Sequence, residues 1–320
     1  CSLVPVGKGD KPIDTTVTTT STDPGVYRIQ CKLSTRGTHT VKVQVYDVHL
    51  EDTSLVIPFN PYLDNVTPVR TITELNRPWG VAVTDNNHVI IAECGSHCVT
   101  ILDREGKKVK SLGGEGGSGN VKLSEPHGVA ITTDKFILVS DRHKIQKISM
   151  DGESVGLYYG NDRIKVVNRD LKFKFSRSFG SEGSANGQFE RPTDIAIDSQ
   201  GLVYVADCWN GRIQKFSPDG EFVGQFGTKG FGPGQLSYPF GITIDTAATG
   251  LVYVSESGNH RISVFTSDGV FVGNFGSKGS NIDQFNNPRE LAFDKDGFLY
   301  VCDSGNGRLV VYNVHVHVLD

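Results

Sequence analysis

The sequence predicts an all-β fold made of a repeated four-stranded unit, a β-propeller. Three observations predict it. Self-similar segments recur between residues 76 and 313, and each holds four short runs that alternate or stay apolar for five or six residues, as strands do. The prolines that open successive copies are regularly spaced: Pro78 and Pro126 stand 48 residues apart, Pro192 and Pro239 stand 47, and Pro239 and Pro288 stand 49. The composition, with 37 glycines and one methionine in 320 residues, suits a chain of many tight turns. Four strands in a repeat of that length are the signature of a propeller blade.

Taken in chain order, residues 1–62 differ in texture. They are rich in threonine, and "GVYRIQCKL" and "GTHTVKVQVYDVHL" read as two alternating strands, with "TSLVIPF" as a third. This pattern predicts part of an immunoglobulin-like sandwich. Residues 63–75 read as a linker and a strand, and residues 76–320 as the propeller. The first residues lack the long apolar core of a signal peptide, and there is no initiator methionine, so the chain reads as a fragment or processed product.

Within the propeller, strand A is "DIAID", "GITID" or "ELAFD", strand B "LVYVAD" or "FLYVCD", strand C "RIQKFS" or "RISVFT", and strand D "EFVGQFG" or "VFVGNFG". Turns such as Pro218-Asp219-Gly220 separate them. Proline opens strand A, where a missing N–H does no harm. The small residues Gly80, Ala82, Gly128, Ala130, Ala196 and Ala292 suit a strand A that lines a crowded channel.

One interval breaks the rule. Pro126 and Pro192 are 66 residues apart, whereas two blades need about 96 on the repeat period. "ESVGLY" (153–158) matches strand D, and "GNDRIKVVNRDLKFKFSRSFG" (160–180) matches strands C and D. The expectation is six blades, the third lacking its inner strands A and B. Three origins fit: a natural five-blade closure with a spare hairpin, a six-blade ring with a defect, or loss of a coding segment. The last copy has strands A, B and C only. "TPVRTIT" (67–73) is expected to supply its strand D and close the ring without a free edge. The tail "VHVHVL" (314–319) is the alternative.

Acid and arginine recur at the B–C corner as Asp207/Arg212, Glu256/Arg261 and Asp303/Arg308. Adjacent antiparallel strands set such residues opposite each other, so structural ion pairs are expected. Cys98 stands where the first blade would carry arginine, so that pair should be missing.

The repeats resemble NHL repeats. The N-H-R-I core appears as Asn259-His260-Arg261-Ile262, with "NGRI" at 210–213, "NGRL" at 306–309 and "NDRI" at 161–164. The stretch "PGVYRI…RGTHTVKVQV…PF" resembles the second half of a filamin repeat. The order of the two resembles tripartite-motif NHL proteins. That resemblance implies a RING finger, B-boxes and a coiled coil in the full-length family, with ubiquitin-ligase activity in the RING and oligomerisation, if any, through those upstream regions. The propeller would then be a non-catalytic interaction module, recognising a protein partner or RNA stem-loops.

The residues argue for recognition over catalysis. Cys94, His97 and Cys98 lie close in sequence but lack the further ligands of a structural zinc site. "DKDG" (294–297) lacks the remaining acids of a calcium loop. "GGEGGSGN" (113–120) is followed by no Lys-Ser/Thr helix start, so it is no P-loop. No metal or cofactor is expected. The D–A and B–C loops share one face of a propeller, which places Arg77, Trp79, His97, His127, Arg142, His143, Arg191, Trp209, Phe240, His260 and Arg289 together. Cations among aromatics bind phosphates and stack unpaired bases. Trp79 and Phe240 could equally plug the channel mouth.

Net charge is −4, and residues 76–320 carry 25 lysines and arginines against 28 acids, so there is no overall pull on phosphate. A protein partner is therefore favoured over RNA. No apolar run is long enough to span a membrane. Six scattered cysteines point to a reducing, cytoplasmic setting. Two alternatives stay open. One is an RNA-binding post-transcriptional repressor without a ligase role. The other is a metal-dependent propeller enzyme resembling the amidating lyases, for which the inward carboxylates Asp194 and Glu290 are the motive.

Overall fold

The computed structural model describes the side chains of residues 66, 68–114, 121–132, 135–140, 146–151 and 179–314, and the backbone of further strands outside these ranges. The chain divides into two compact units, residues 1–64 and 65–320.

In the first unit, strands Ser2–Pro5, Gly37–Lys42 and Leu55–Phe59 form a three-stranded sheet centred on Gly37–Lys42. Thr15–Thr19 pairs with Tyr27–Cys31. The strands read from "GVYRIQCKL" and "GTHTVKVQVYDVHL" thus belong to different sheets.

The second unit is a β-propeller, with five complete four-stranded blades among the described strands. Blade 1 runs Pro78–Val83, Val89–Glu93, Cys98–Leu102 and Lys108–Gly113. Blade 2 runs Val129–Ile131, Ile137–Asp141, Lys144–Ile148 and Ser154–Tyr159. Blade 4 runs Pro192–Ile197, Val203–Asp207, Arg212–Phe216 and Phe222–Phe226. Blade 5 runs Pro239–Ile244, Val252–Glu256, Arg261–Phe265 and Phe271–Phe275. Blade 6 takes Pro288–Phe293, Phe298–Asp303 and Arg308–Asn313, and its fourth strand is Pro68–Ile72. Leu309 faces Ile72 and Val310 faces Thr71, so the N-terminal strand closes the ring as expected. Of the alternative tail strand, 314–319, all but residue 314 lie outside the described residues.

Between blades 2 and 4 the described strands are a hairpin, Ile164–Val167 paired with Phe175–Phe179, and a short parallel pair in the loop that leads into blade 4, Ser181–Glu182 with Gln188–Phe189. The hairpin stands where blade 3 would be. This is the C–D remnant of blade 3 that the repeat spacing requires.

The core lies between blades, because each blade buries one face on its neighbour. Ile90, Ala92, Val99 and Ile101 of blade 1 pack on Val129, Ile137 and Val139 of blade 2. Tyr204, Ala206 and Ile213 of blade 4 pack on Ile242, Ile244 and Val252 of blade 5. Val81, Val89 and Ile91 of blade 1 meet Tyr300, Cys302 and Leu309 of blade 6. Phe179, at the end of the blade 3 remnant, packs with Phe189, Val205 and Phe216 of blade 4.

Candidate partner-recognition site

Strand A of every blade begins with the same three positions, and the ring stacks them into tiers at one end of the channel. The first tier is the residue before the proline: Arg77, Glu125, Arg191, Tyr238 and Asn287. All five adopt the left-handed backbone, with φ between 50 and 55°. That turn swings the chain from the loop into the channel wall at a cost that non-glycine residues accept only when the surroundings enforce it.

The second tier, just after the proline, holds Trp79, His127, Thr193, Phe240 and Arg289. Here the predicted residues converge. Trp79 stacks on His127 with ring centroids 4.1 Å apart and meets Phe240 edge-on at 5.6 Å. The Arg289 guanidinium lies 4.5 Å from the Trp79 ring centre and 4.2 Å from that of Phe240. Burial pulls the Arg289 pKa down to about 10, and the positive charges of Arg191 and Arg77 act in the same direction. Arg289 Nε is buried without a hydrogen-bond partner. Thr193 Oγ1 donates to the Phe240 carbonyl at 2.7 Å and ties blade 4 to blade 5.

The third tier is Gly80, Gly128, Asp194, Gly241 and Glu290. A Cβ on Gly80 would stand 2.2 Å from the His127 carbonyl, and one on Gly241 would stand 2.6 Å from the Arg289 carbonyl. Only glycine lets the strands approach so closely there. The two carboxylates satisfy backbone donors of neighbouring blades. Asp194 Oδ2 accepts from Ile242 N at 2.8 Å, and Glu290 Oε2 accepts from Val81 N at 2.8 Å. Desolvation raises the Asp194 pKa to about 7. It raises Glu290 well above the usual range, with the charge of Asp194 adding to the effect. Above these carboxylates opens a cleft of about 530 Å³, lined by residues that include Trp79, His127 and Phe240. Among the described residues no three His, Cys, Asp or Glu side chains converge as metal ligands would.

The corner acids and arginines do structural work. Arg212 Nε lies 2.7 Å from Asp207, Arg261 Nε 2.6 Å from Glu256, and Arg308 Nε 2.7 Å from Asp303. In each pair the two residues face each other across strands B and C. Arg212 also donates to the Ala185 and Gln188 carbonyls, and Arg308 to those of Ser280, Asn281 and Gln284, so each pair staples the incoming D–A loop. In blade 1 Glu93 accepts from Asn76 N at 2.7 Å, as the other corner acids do from Glu190, Ser237 and Asn286 N, and with Cys98 in the arginine position it also accepts from the Thr100 hydroxyl.

The remaining predicted residues separate. Arg191 lies 5.7 Å from the Trp209 ring, an exposed pair on the rim. His97 and His260 serve turns: their Nδ1 atoms accept from Glu125 N at 3.0 Å and Asn287 N at 3.1 Å. Burial lowers the His260 pKa, and Lys278 adds to this. Arg142 and His143 lie outside the described residues. Sequence reasoning passed over Thr193 and Tyr238, although their places on either side of the strand A proline mark them as members of the same tiers.

NHL repeat signatures match residues 75–102, 189–216 and 285–312. The chain is 28% identical over 190 residues to rat peptidylglycine alpha-amidating monooxygenase, covering 52% of this chain and 18% of that protein. It is 37% identical over 111 residues to the RING finger protein nhl-1 of Caenorhabditis elegans, covering 35% and 10%. It is 49% identical over 45 residues to the mouse E3 ubiquitin-protein ligase TRIM71, covering 14% and 5%. The chain thus spans less than a fifth of each of these relatives. Among solved structures, virginiamycin B lyase from Staphylococcus aureus shares the fold, with a TM-score of 0.51 at 15% identity over 76% of this chain and 98% of that one. A ring of four-stranded blades with NHL signatures in blades 1, 4 and 6 makes the chain an NHL-repeat β-propeller, similar over parts of its length to tripartite-motif and RING-finger NHL proteins.

Proposed function

We propose that this chain is the target-recognition end of a tripartite-motif ubiquitin ligase, and that its channel mouth binds a protein partner in the cytoplasm. One observation carries the reading. Arg289, with an unpaired Nε and the charges of Arg77 and Arg191 acting on it, lies against the Trp79 and Phe240 rings, and those rings line an open cleft. Guanidinium groups stacked on aromatics and stripped of water are the kind of anchor that dominates protein interfaces. Ubiquitin transfer would belong to a RING in the full protein, and this chain would supply the target.

The same cations and rings could take RNA. Three features favour protein: a propeller with more acids than bases, carboxylates at the cleft floor, and aromatics already stacked on one another rather than splayed for bases. Affinity capture from lysate with wild-type and Arg289→Ala chains, each with and without nuclease, tests the reading. A partner held through nuclease treatment and lost with Arg289 supports it. Capture that vanishes with nuclease, together with salt-dependent binding of purified RNA, would replace it with the RNA-repressor reading.

The likeness to an amidating monooxygenase, with Asp194 and Glu290 in the channel, supports a second reading as a metal-dependent enzyme. Elemental analysis of purified protein decides it, since that reading requires a stoichiometric metal.

A further inference from the structure

The place of the missing half-blade is built to receive one. In complete junctions the second and fourth residues after the strand A proline's neighbour pack on the preceding blade: Ile242 and Ile244 of blade 5 are 3% and 8% exposed. Their blade 4 equivalents, Ile195 and Ile197, face the place of blade 3 and are 40% and 60% exposed. Across the cleft, Ala130, Leu138 and Ser140 of blade 2 form the opposite wall. They occupy the positions of Ala196, Tyr204 and Ala206, which in blade 4 are covered by blade 5. Among the described strands, Ile164–Val167 pairs only with Phe175–Phe179 and so offers its inner edge, where strand B would pair in a complete blade.

We propose that this cleft is a docking site for a β-hairpin of a protein partner, which takes the place of strands A and B of blade 3. The repeat specifies the occupant. The interval between Pro126 and Pro192 is short by about one such hairpin with its connections. An unpaired strand edge recruits an extended chain through main-chain hydrogen bonds, and flanking side-chain surfaces select its pattern. The entering strand must present alternate Ile or Val side chains to blade 2, as Ile242 and Ile244 do to blade 4. Glycine at the collar, as at Gly80 and Gly241, would give it the closest approach to the neighbouring backbone. Its partner strand then pairs with Ile164–Val167. The cleft runs on to the Trp79, His127 and Phe240 rings of the channel mouth, so the test below separates hairpin docking from the mouth reading through Arg289.

The test uses a peptide with the sequence of residues 238–257, the A–B hairpin of blade 5, fused to an inert carrier and titrated into the full chain. Saturable binding is expected, with slowed amide exchange in strands 164–167 and 192–197. The double variant Ile195→Asp/Ile197→Asp alters only exposed side chains, so it should keep the melting temperature of the free chain while weakening binding about a hundredfold. A peptide with the same composition and scrambled alternation should not bind. Absence of saturable binding, equal binding of the scrambled peptide, or binding unchanged in the double variant would overturn the proposal. Arg289→Ala serves as the separating control: loss of hairpin binding in that variant would place the peptide at the mouth and also overturn it.

Discussion

Arg289 and Phe240 stand 4.2 Å apart, guanidinium over ring, although they lie on different blades. The contact ties blade 6 to blade 5 at the mouth of the channel and holds a partly desolvated cation there. A desolvated cation over an aromatic face contributes about 1–2 kcal/mol. Arg289→Ala should therefore lower stability by about that much and loosen Trp79, which shares the same cation. Tryptophan fluorescence reads the change: the Trp79 emission should shift to the red and become more accessible to quencher, and Arg289→Lys should restore it only in part.

The floor of the cleft makes stability depend on pH. Asp194 and Glu290 have folded pKa values raised above their ordinary ones by burial, Asp194 to about 7. A raised carboxylate binds its proton more tightly in the folded state. Its contribution is fully present below the unfolded pKa, near 4, and is lost as pH rises through about 7. Asp194→Asn keeps an oxygen to accept from Ile242 N and removes the charge. Its melting temperature should exceed that of the parent by about 5 °C at pH 8 and match it near pH 4. Thermal denaturation across that range checks both ends.

The corner pairs are the structural counterpart of the mouth. Asp207 is fully buried, and Arg212 is its cationic partner. Removing one partner leaves an uncompensated buried charge and frees the loop carbonyls that Arg212 binds. Arg212→Ala should cost about 3–5 kcal/mol in chemical denaturation. Cys98→Ala in blade 1, where no such pair exists, should cost about 1–2 kcal/mol at most.

Ring closure rests on Pro68–Ile72. Backbone donors alternate in direction along a strand, so one of Arg70→Pro and Thr71→Pro must break a ladder bond to Arg308–Asn313. That variant should lose about 3 kcal/mol and aggregate through the exposed edge of blade 6, as light scattering would show.

The four-stranded repeat, its period and the short third interval are legible in the amino-acid order, and the pairing of Pro68–Ile72 chose between the two candidate closing strands. The first three follow from local alternation, turn residues and counting, and each is a property of neighbouring residues or of the spacing between copies. The corner pairs were legible for the same reason, because Asp207 and Arg212 sit five residues apart across one tight turn. Only the tertiary structure decided which of the predicted face residues meet. Trp79, His127, Phe240 and Arg289 come from four blades, and closing the ring brings them to one point, whereas His97 and His260 are drawn off to brace turns. The raised pKa of Asp194 and Glu290, and the bare flank at Ile195 and Ile197, were likewise decided there. Desolvation depends on every blade that surrounds a group, and exposure depends on the one that is missing.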